Sequence, residues 1–226
     1  MSIVRGDSPV TLVGGAAVSR ADLGRATALA PRLVAADGGA DRLLALGAEP
    51  EAGIGDLDSI SDAARSRLAD RLHEIAEQDS TDFDKALRSI EAPLVLALGV
   101  AGGRFDHELA AMNVLCRHAD RPCIVIGAES LVYLTPPDGR LDLRAGEAIG
   151  LFPMAPLGVA SRGLAWPTDG LVLSPTGRIA TSNRATGPVR LRPDTPALLT
   201  ILPRDRLEVA VSCLERAARW PARAAR

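Results

Sequence analysis

Along the first 130 or so residues, short unbroken apolar runs alternate with stretches whose apolar positions recur at helical spacing. The runs at residues 11–13, 33–36, 94–98 and 123–126 read as strands buried on both faces, with a weaker one at 74–76. Helices are predicted from a cap at Ser19 through Leu29, through Leu43, Leu44 and Leu46 to Gly47, over about 61–71, from Thr81 onward, and through Leu109, Met112, Val114 and Cys116. The Thr81 helix carries Phe83, Ala86, Leu87 and Ile90 at i, i+3, i+4 and i+7, and Thr81 and Asp84 have capping-box spacing. This alternation predicts an N-terminal α/β domain, a parallel sheet with helices on both faces.

Near residue 131 helical periodicity stops. Short runs at 131–135, 148–152, 171–173, 189–191 and 197–202 fall between turn signals such as Pro136-Pro137-Asp138-Gly139 and Thr168-Asp169-Gly170. Regular short strands with Gly/Pro turns predict a small all-β sandwich or barrel, with Trp166 in its core. The boundary is placed at Pro136, giving an α/β domain over 1–136 and a β domain over 137–226. Leu207, Val211, Leu214 and Ala218 predict a C-terminal helix ended by Pro221, and the arginines beyond it read as a solvated tail.

Composition narrows the function classes. The 226 residues are 47% hydrophobic and 24% charged, with net charge −2. Near-neutrality gives no general electrostatic case for binding nucleic acid or a membrane surface, and no apolar run approaches the length of a membrane span. The first residues lack the layout of a signal peptide. Cys116, Cys123 and Cys213 form an odd set without C-x-x-C spacing, read as buried thiols in a reducing compartment, so a cytoplasmic location is expected.

The candidate chemistry clusters after the predicted strands. Gly14-Gly15, Asp37-Gly38-Gly39, Gly55-Asp56 and Gly102-Gly103-Arg104 each follow a strand-like run, which puts four polar loops on the carboxyl rim of the sheet. Asp56 and Asp58, two apart, offer hard oxygen ligands with no nearby His or Cys, which suits Mg²⁺ better than zinc. Asp82 falls in the first turn of its helix, and Lys85, the only lysine in the chain, one turn later. Lys85 is read either as a phosphate-neutralising ammonium or as an exposed helix residue paired with Asp82 or Asp84. No G-x-x-x-x-G-K-[ST] or G-x-G-x-x-G motif is present. Asp106 reads as a helix N-cap, His107 as structural, and Thr181-Ser182-Asn183 as strand-end polar residues. Together, Asp37, Asp56, Asp58 and Asp82 opposite Lys85 and Arg104 make a phosphoryl-transfer constellation.

These motifs resemble the thiamine pyrophosphokinase family. The resemblance lies in Asp37-Gly38-Gly39-Ala40-Asp41, Gly55-Asp56-Leu57-Asp58-Ser59, the run from Gln78 to Leu87 and Gly102-Gly103-Arg104-Phe105-Asp106-His107, with Gly163-Leu164-Ala165-Trp166-Pro167 and Thr181-Ser182-Asn183 later. It implies a C-terminal β-sandwich, a homodimer with active sites at its interface, and transfer of pyrophosphate from ATP to the thiamine hydroxyl, giving thiamine diphosphate and AMP. It further implies that Asp37, Asp56, Asp58 and Asp82 hold Mg²⁺, with Asp56, Asp58, Asp82 and Lys85 catalytic. Gly38, Gly39, Thr81, Lys85, Arg104 and Asp106 are implied to contact the nucleotide, and Gln78, Asp82, Ser182 and Asn183 thiamine. Where animal members carry a Trp in the last strand that stacks on thiamine, this chain has Leu199. The competing readings are a Mg²⁺-dependent nucleotide hydrolase, a kinase for another alcohol, and a non-catalytic nucleotide or thiamine diphosphate sensor.

Overall fold

The computed structural model describes residues 2–222. Its contacts divide the chain into two compact units, one built from residues up to Val114 and Val125–Ala128, the other from Leu115–Ile124 and from Glu129 on.

In the first unit the elements run β1 (Val4–Arg5), β2 (Val10–Val13), α1 (Arg20–Leu29), β3 (Arg32–Ala36), α2 (Gly39–Ala45) and β4 (Ala52–Gly55). Then come α3 (Asp62–Leu68), β5 (Leu72–Glu74), α4 (Asp82–Ser89), β6 (Ile90–Glu91) and β7 (Val95–Leu98). Five strands form a parallel sheet in the order β7-β2-β3-β4-β5, while β1 and β6 pair separately. Every residue of β2, β4 and β7 is buried, which is why these strands read as unbroken apolar runs. The chain works outward from β2 to β5 and then returns to the far side of β2 as β7. The strand order therefore reverses between β2 and β7, the place where open α/β sheets bind ligands. Three helix starts are set by side chains that accept a backbone N–H: Ser19 from Asp22 (3.1 Å), Ser61 from Ala64 (3.1 Å) and Thr81 from Asp84 (3.3 Å). Two expectations shift. Ile90 leaves the helical stripe because the chain is already extended there as β6, and β5 lies two residues before the predicted strand.

Helix α5 (Phe105–Arg117) and β8 (Cys123–Ile126) cross the division between units. Asp106 lies inside the first turn of α5 rather than capping it, and its Oδ1 accepts from the His107 N–H at 3.1 Å.

The second unit contains β9 (Ser130–Leu134), β10 (Gly139–Leu141), β11 (Ala148–Pro153), β12 (Leu157–Leu164), β13 (Val172–Leu173), β14 (Ala180–Pro193), β15 (Leu198–Pro203) and α6 (Leu207–Arg216). Its strand pairs are antiparallel. The 14-residue β14 changes partners along its length: its start lies against β11, and residues 189–191 lie between β10 and β12. One strand serving two sheet edges is the corner device of a sandwich. Strand β12 is not expected from the sequence: its inward positions Leu157, Val159 and Ser161 alternate with small or polar residues, so the apolar signal is weak, and a bulge at Gly163 (φ 78°) shifts the register only before Leu164.

Helix α6 ends at Arg216, five residues before Pro221, because Ala217 turns extended. The tail continues to Trp220, whose indole N–H donates to the Thr135 carbonyl at 2.9 Å. The tail arginines Arg223 and Arg226 lie outside the described residues. The three cysteines are free and buried. Trp166, expected in the core, is 60% exposed. Among the described residues no helix is long and apolar enough to cross a membrane.

Candidate active site

The loops that follow β2, β3, β4 and β7, with the segment entering α4, line a cleft of about 1050 Å³ in the first unit. Close backbone approach builds it. A Cβ on Gly55 would lie 2.9 Å from the Asp37 Cβ and 3.1 Å from Asp82 Oδ1, so only glycine lets β3, β4 and α4 converge here. Asp37 (φ 44°) and Leu57 (φ 64°) hold left-handed backbone conformations that cost non-glycine residues energy, concentrated where the carboxylates emerge. The loop around Leu57 is pinned. Arg65 donates to the Leu57 carbonyl at 2.6 Å, and the Asp41 carboxylate accepts from both the N–H (3.0 Å) and the hydroxyl of Ser61.

Asp37, Asp56 and Asp58 each present one carboxylate oxygen, and these oxygens lie within 4.8 Å of one another. Asp37 is 6% exposed, and its Oδ1 is buried without a hydrogen-bond partner. Burial pushes its pKa up, against hydrogen bonds from Gly38 and Ser59. An all-oxygen group with one orphaned buried acceptor fits a hard divalent cation such as Mg²⁺. Asp82 stands outside that trio; its Oδ1 accepts from the Asp56 N–H (3.3 Å) and from Lys85 Nζ (3.2 Å).

Lys85 has none of its side chain exposed, and its Nζ also lies 2.8 Å from Asp56 Oδ2. Lysine ammonium, Asp82 oxygen, Asp56 backbone and Asp56 carboxylate thus form a closed ring behind the cleft. Burial pulls the Lys85 pKa down, but hydrogen bonds to Asp56 and Asp82 outweigh it and the net shift is upward. The Lys85 hydrogen bond in turn holds the Asp56 carboxyl below its usual range. One sequence reading of Lys85 is half met: it pairs with Asp82, but it is buried rather than exposed. Its ammonium is enclosed beneath the carboxylates and is not among the residues lining the cleft.

Of the other expected residues, Gly38, Thr81, Gln78 and Arg104 line the cleft. Gln78 Nε2 lies 3.4 Å from Asp56 Oδ2. Gly39 is buried as the first residue of α2. Arg104 and Asp106 form a solvent-exposed ion pair at 2.6 Å. Glu77 was not signalled by the sequence: it accepts from Ser80 and Arg88, which hold its carboxyl at a pKa of about 2 and fix the entry to α4. Only the fold brings Arg88 back to it. Ser182 and Asn183 belong to the second unit. Ser182 is exposed with φ 60°. Asn183 is 3% exposed; its Oδ1 accepts from the N–H groups of Trp166 (3.2 Å) and Arg184 (2.9 Å), and its Nδ2 donates to the Trp166 carbonyl (2.8 Å).

The same segments match known proteins. The family model described as the thiamin pyrophosphokinase catalytic domain matches residues 24–126, which contain every cleft carboxylate named above. Thiamine pyrophosphokinase 1 of Oryza sativa is 31% identical over 204 residues, covering 74% of this chain and 77% of that protein. The chain belongs to the thiamine pyrophosphokinase family. Its similarity to a second plant member, thiamine pyrophosphokinase 2 of Arabidopsis thaliana, is 29% over 158 residues and spans 60% of this chain and 58% of that relative. The crystal structure of yeast thiamin pyrophosphokinase shares the fold, with a TM-score of 0.72 at 20% identity, covering 90% of this chain and 89% of that one.

Proposed function

We propose that this chain transfers the pyrophosphate group of ATP to the hydroxyl of thiamine, giving thiamine diphosphate and AMP. The observation that carries the reading is the Asp37–Asp56–Asp58 oxygen cluster with its orphaned buried Asp37 Oδ1, set at the sheet's switch point. A bound Mg²⁺, held there by these carboxylates, would supply charge neutralisation for the polyphosphate. The chain's own groups do the rest. Arg104 on the cleft wall pairs with phosphate oxygens, and Thr81 and Gly38 border the nucleotide. The acceptor's hydroxyl oxygen bonds to the β-phosphorus as the bond to the bridging α–β oxygen breaks. AMP leaves with that oxygen, and the hydroxyl proton passes to the second oxygen of Asp82, then to water. With its first oxygen fixed by Lys85 and the Asp56 N–H, Asp82 is pre-oriented for this role. Gln78, Ser182 and Asn183 border the thiamine, with the Asn183 amide fixed by the backbone of Trp166 and Arg184.

The proposal extends to assembly and location. A homodimer with active sites built by both chains is supported by Phe105 and Leu109, one turn apart on α5 and 72% and 55% exposed. A cytoplasmic location is supported by three free buried thiols. The test is ATP turnover with thiamine and Mg²⁺, resolving AMP, ADP and phosphate. AMP forming only with thiamine is expected, as is a loss of about 10³-fold or more in Asp56→Asn and Asp82→Asn. ADP or free phosphate as the product would replace the reading with a kinase or a hydrolase; ATP binding without turnover would point to a sensor.

A further inference from the structure

Residues 75–81 connect β5 to α4 without regular structure, so their backbone groups need partners from elsewhere. At one end the Ile75 N–H donates to the Gly55 carbonyl at 2.7 Å. At the other end α4 itself fixes Thr81, whose hydroxyl caps the Asp84 N–H and whose carbonyl accepts from the Lys85 N–H at 2.9 Å. Between these anchors one carboxylate holds the turn. Glu77 Oε2 accepts from the Asp79 N–H at 2.7 Å, and its Oε1 accepts from the Ser80 hydroxyl and from Arg88 Nη2, the latter at 2.7 Å. Arg88 Nη1 closes the network by donating to Ser80 Oγ at 3.1 Å. Arg88 lies in the last turn of α4, so the turn is docked along the same helix that presents Asp82.

Stability does not account for this arrangement. The Arg88 and Glu77 side chains are 32% and 34% exposed, and an ion pair that wet contributes little. What the turn controls is geometry, because it carries Gln78 into the cleft. The Gln78 amide has only long contacts of its own, 3.4 Å to Asp56 Oδ2 and 3.5 Å to the Ala76 carbonyl, beyond the range of an effective hydrogen bond. The place of Gln78 is therefore set by its backbone, and that backbone by Glu77. Thr81 keeps its place through the helix cap without Glu77, so loosening the turn would move Gln78 and spare Thr81.

We propose that Glu77 and Arg88 are positioning residues for the acceptor, their pairing holding the turn that delivers Gln78 to it. This rests on the thiamine reading above. The test is AMP formation with each substrate varied in turn, alongside thermal unfolding. Glu77→Ala and Arg88→Met should each raise the KM for thiamine about tenfold, with the KM for ATP within about threefold of the parent. Their unfolding midpoints should match the parent's. Both side chains act on one turn, so adding Arg88→Met to Glu77→Ala should change the thiamine KM by less than about twofold. They act through Gln78, so Glu77→Ala in a Gln78→Ala background should likewise add less than about twofold. Glu77→Gln keeps an oxygen for the Asp79 N–H and loses the charge that pairs with Arg88. It should raise the thiamine KM about threefold, and it serves where Glu77→Ala fails to fold. An unchanged thiamine KM in the single variants, equal rises in both KM values, or an undiminished effect of Glu77→Ala in the Gln78→Ala background would overturn the assignment. So would a lowered unfolding midpoint with the thiamine KM intact, which would make the pair a structural tie only. A parent that forms no AMP would overturn the thiamine reading and this inference with it, whereas an active parent with unaltered variants would overturn this inference alone.

Discussion

Lys85 and Arg104 belong to the same unit and each pairs with carboxylate, yet they differ in what decides a cation's role. Lys85 is wholly buried and bridges two carboxylates, one 15% and the other 34% exposed. Arg104 is 72% exposed and pairs with an equally wet Asp106 two residues away. An ion pair in water is worth little and can exchange partners when a phosphate arrives. A buried pair cannot open without leaving charge stranded in a low-dielectric site. From the sequence, Lys85 reads as either a phosphate partner or an ion-paired helix residue; the fold leaves Arg104 in water on the cleft wall and encloses Lys85 as a brace between Asp56 and Asp82.

Three changes would break or sharpen that contrast. The largest effect is expected for Lys85→Met, which keeps the side chain's bulk but strands Asp56 and Asp82. Denaturant unfolding should show a loss of about 3 kcal/mol, the low end for a buried pair because Asp82 keeps contact with water. A loss under about 1 kcal/mol would mean that the brace is not structural.

An intermediate case is the half-exposed pair of Asp138 with Arg190 in the second unit, at 2.6 Å. Hydrogen bonds from Arg190, then Arg140, hold the Asp138 carboxyl down at about 2. A carboxyl depressed in the folded state stabilises above its unfolded pKa, near 3.8, and that contribution disappears as pH falls through 2. The stability gap between the parent and Asp138→Asn, followed by urea unfolding, should therefore shrink steadily from pH 4 to pH 2. A gap that stays constant across that range would show that the pair does not set the carboxyl's affinity for protons.

The smallest stability effect is expected for Arg104→Ala, whose denaturation midpoint should match the parent's, with the KM for ATP raised about tenfold. A stability loss as large as that of Lys85→Met would erase the difference between the two cations.

Much of this was legible in the sequence where local chemistry decides. Ser19 and Thr81 mark helix starts because a hydroxyl accepts an N–H three residues on, and the buried parallel strands show as unbroken apolar runs. Asp37, Asp56 and Asp58 cluster because strand ends of a parallel sheet share an edge, while Asp82 reaches Asp56 from the start of α4. What stayed hidden depends on partners distant in the chain. The burial of Lys85 needs the loop after β4 to fold over it, and the Glu77–Arg88 pair closes only once α4 exists. Trp166 looked like a core residue because its apolar character is visible in the sequence, whereas its exposed place in a loop whose backbone is held by Asn183 is not. Strand β12 was missed because only Leu157, Val159 and Leu164 among its inward positions are apolar, with Ser161 buried between them.

The central claim is transfer of an intact pyrophosphate, and the most direct test follows the phosphorus atoms. ATP labelled separately at the β and γ positions would be turned over with thiamine and Mg²⁺. Both labels should reach thiamine in equal amounts, and the AMP should carry neither. Label from the γ position alone, with ADP retaining the β label, would contradict it and make the cleft that of an ordinary phosphotransferase.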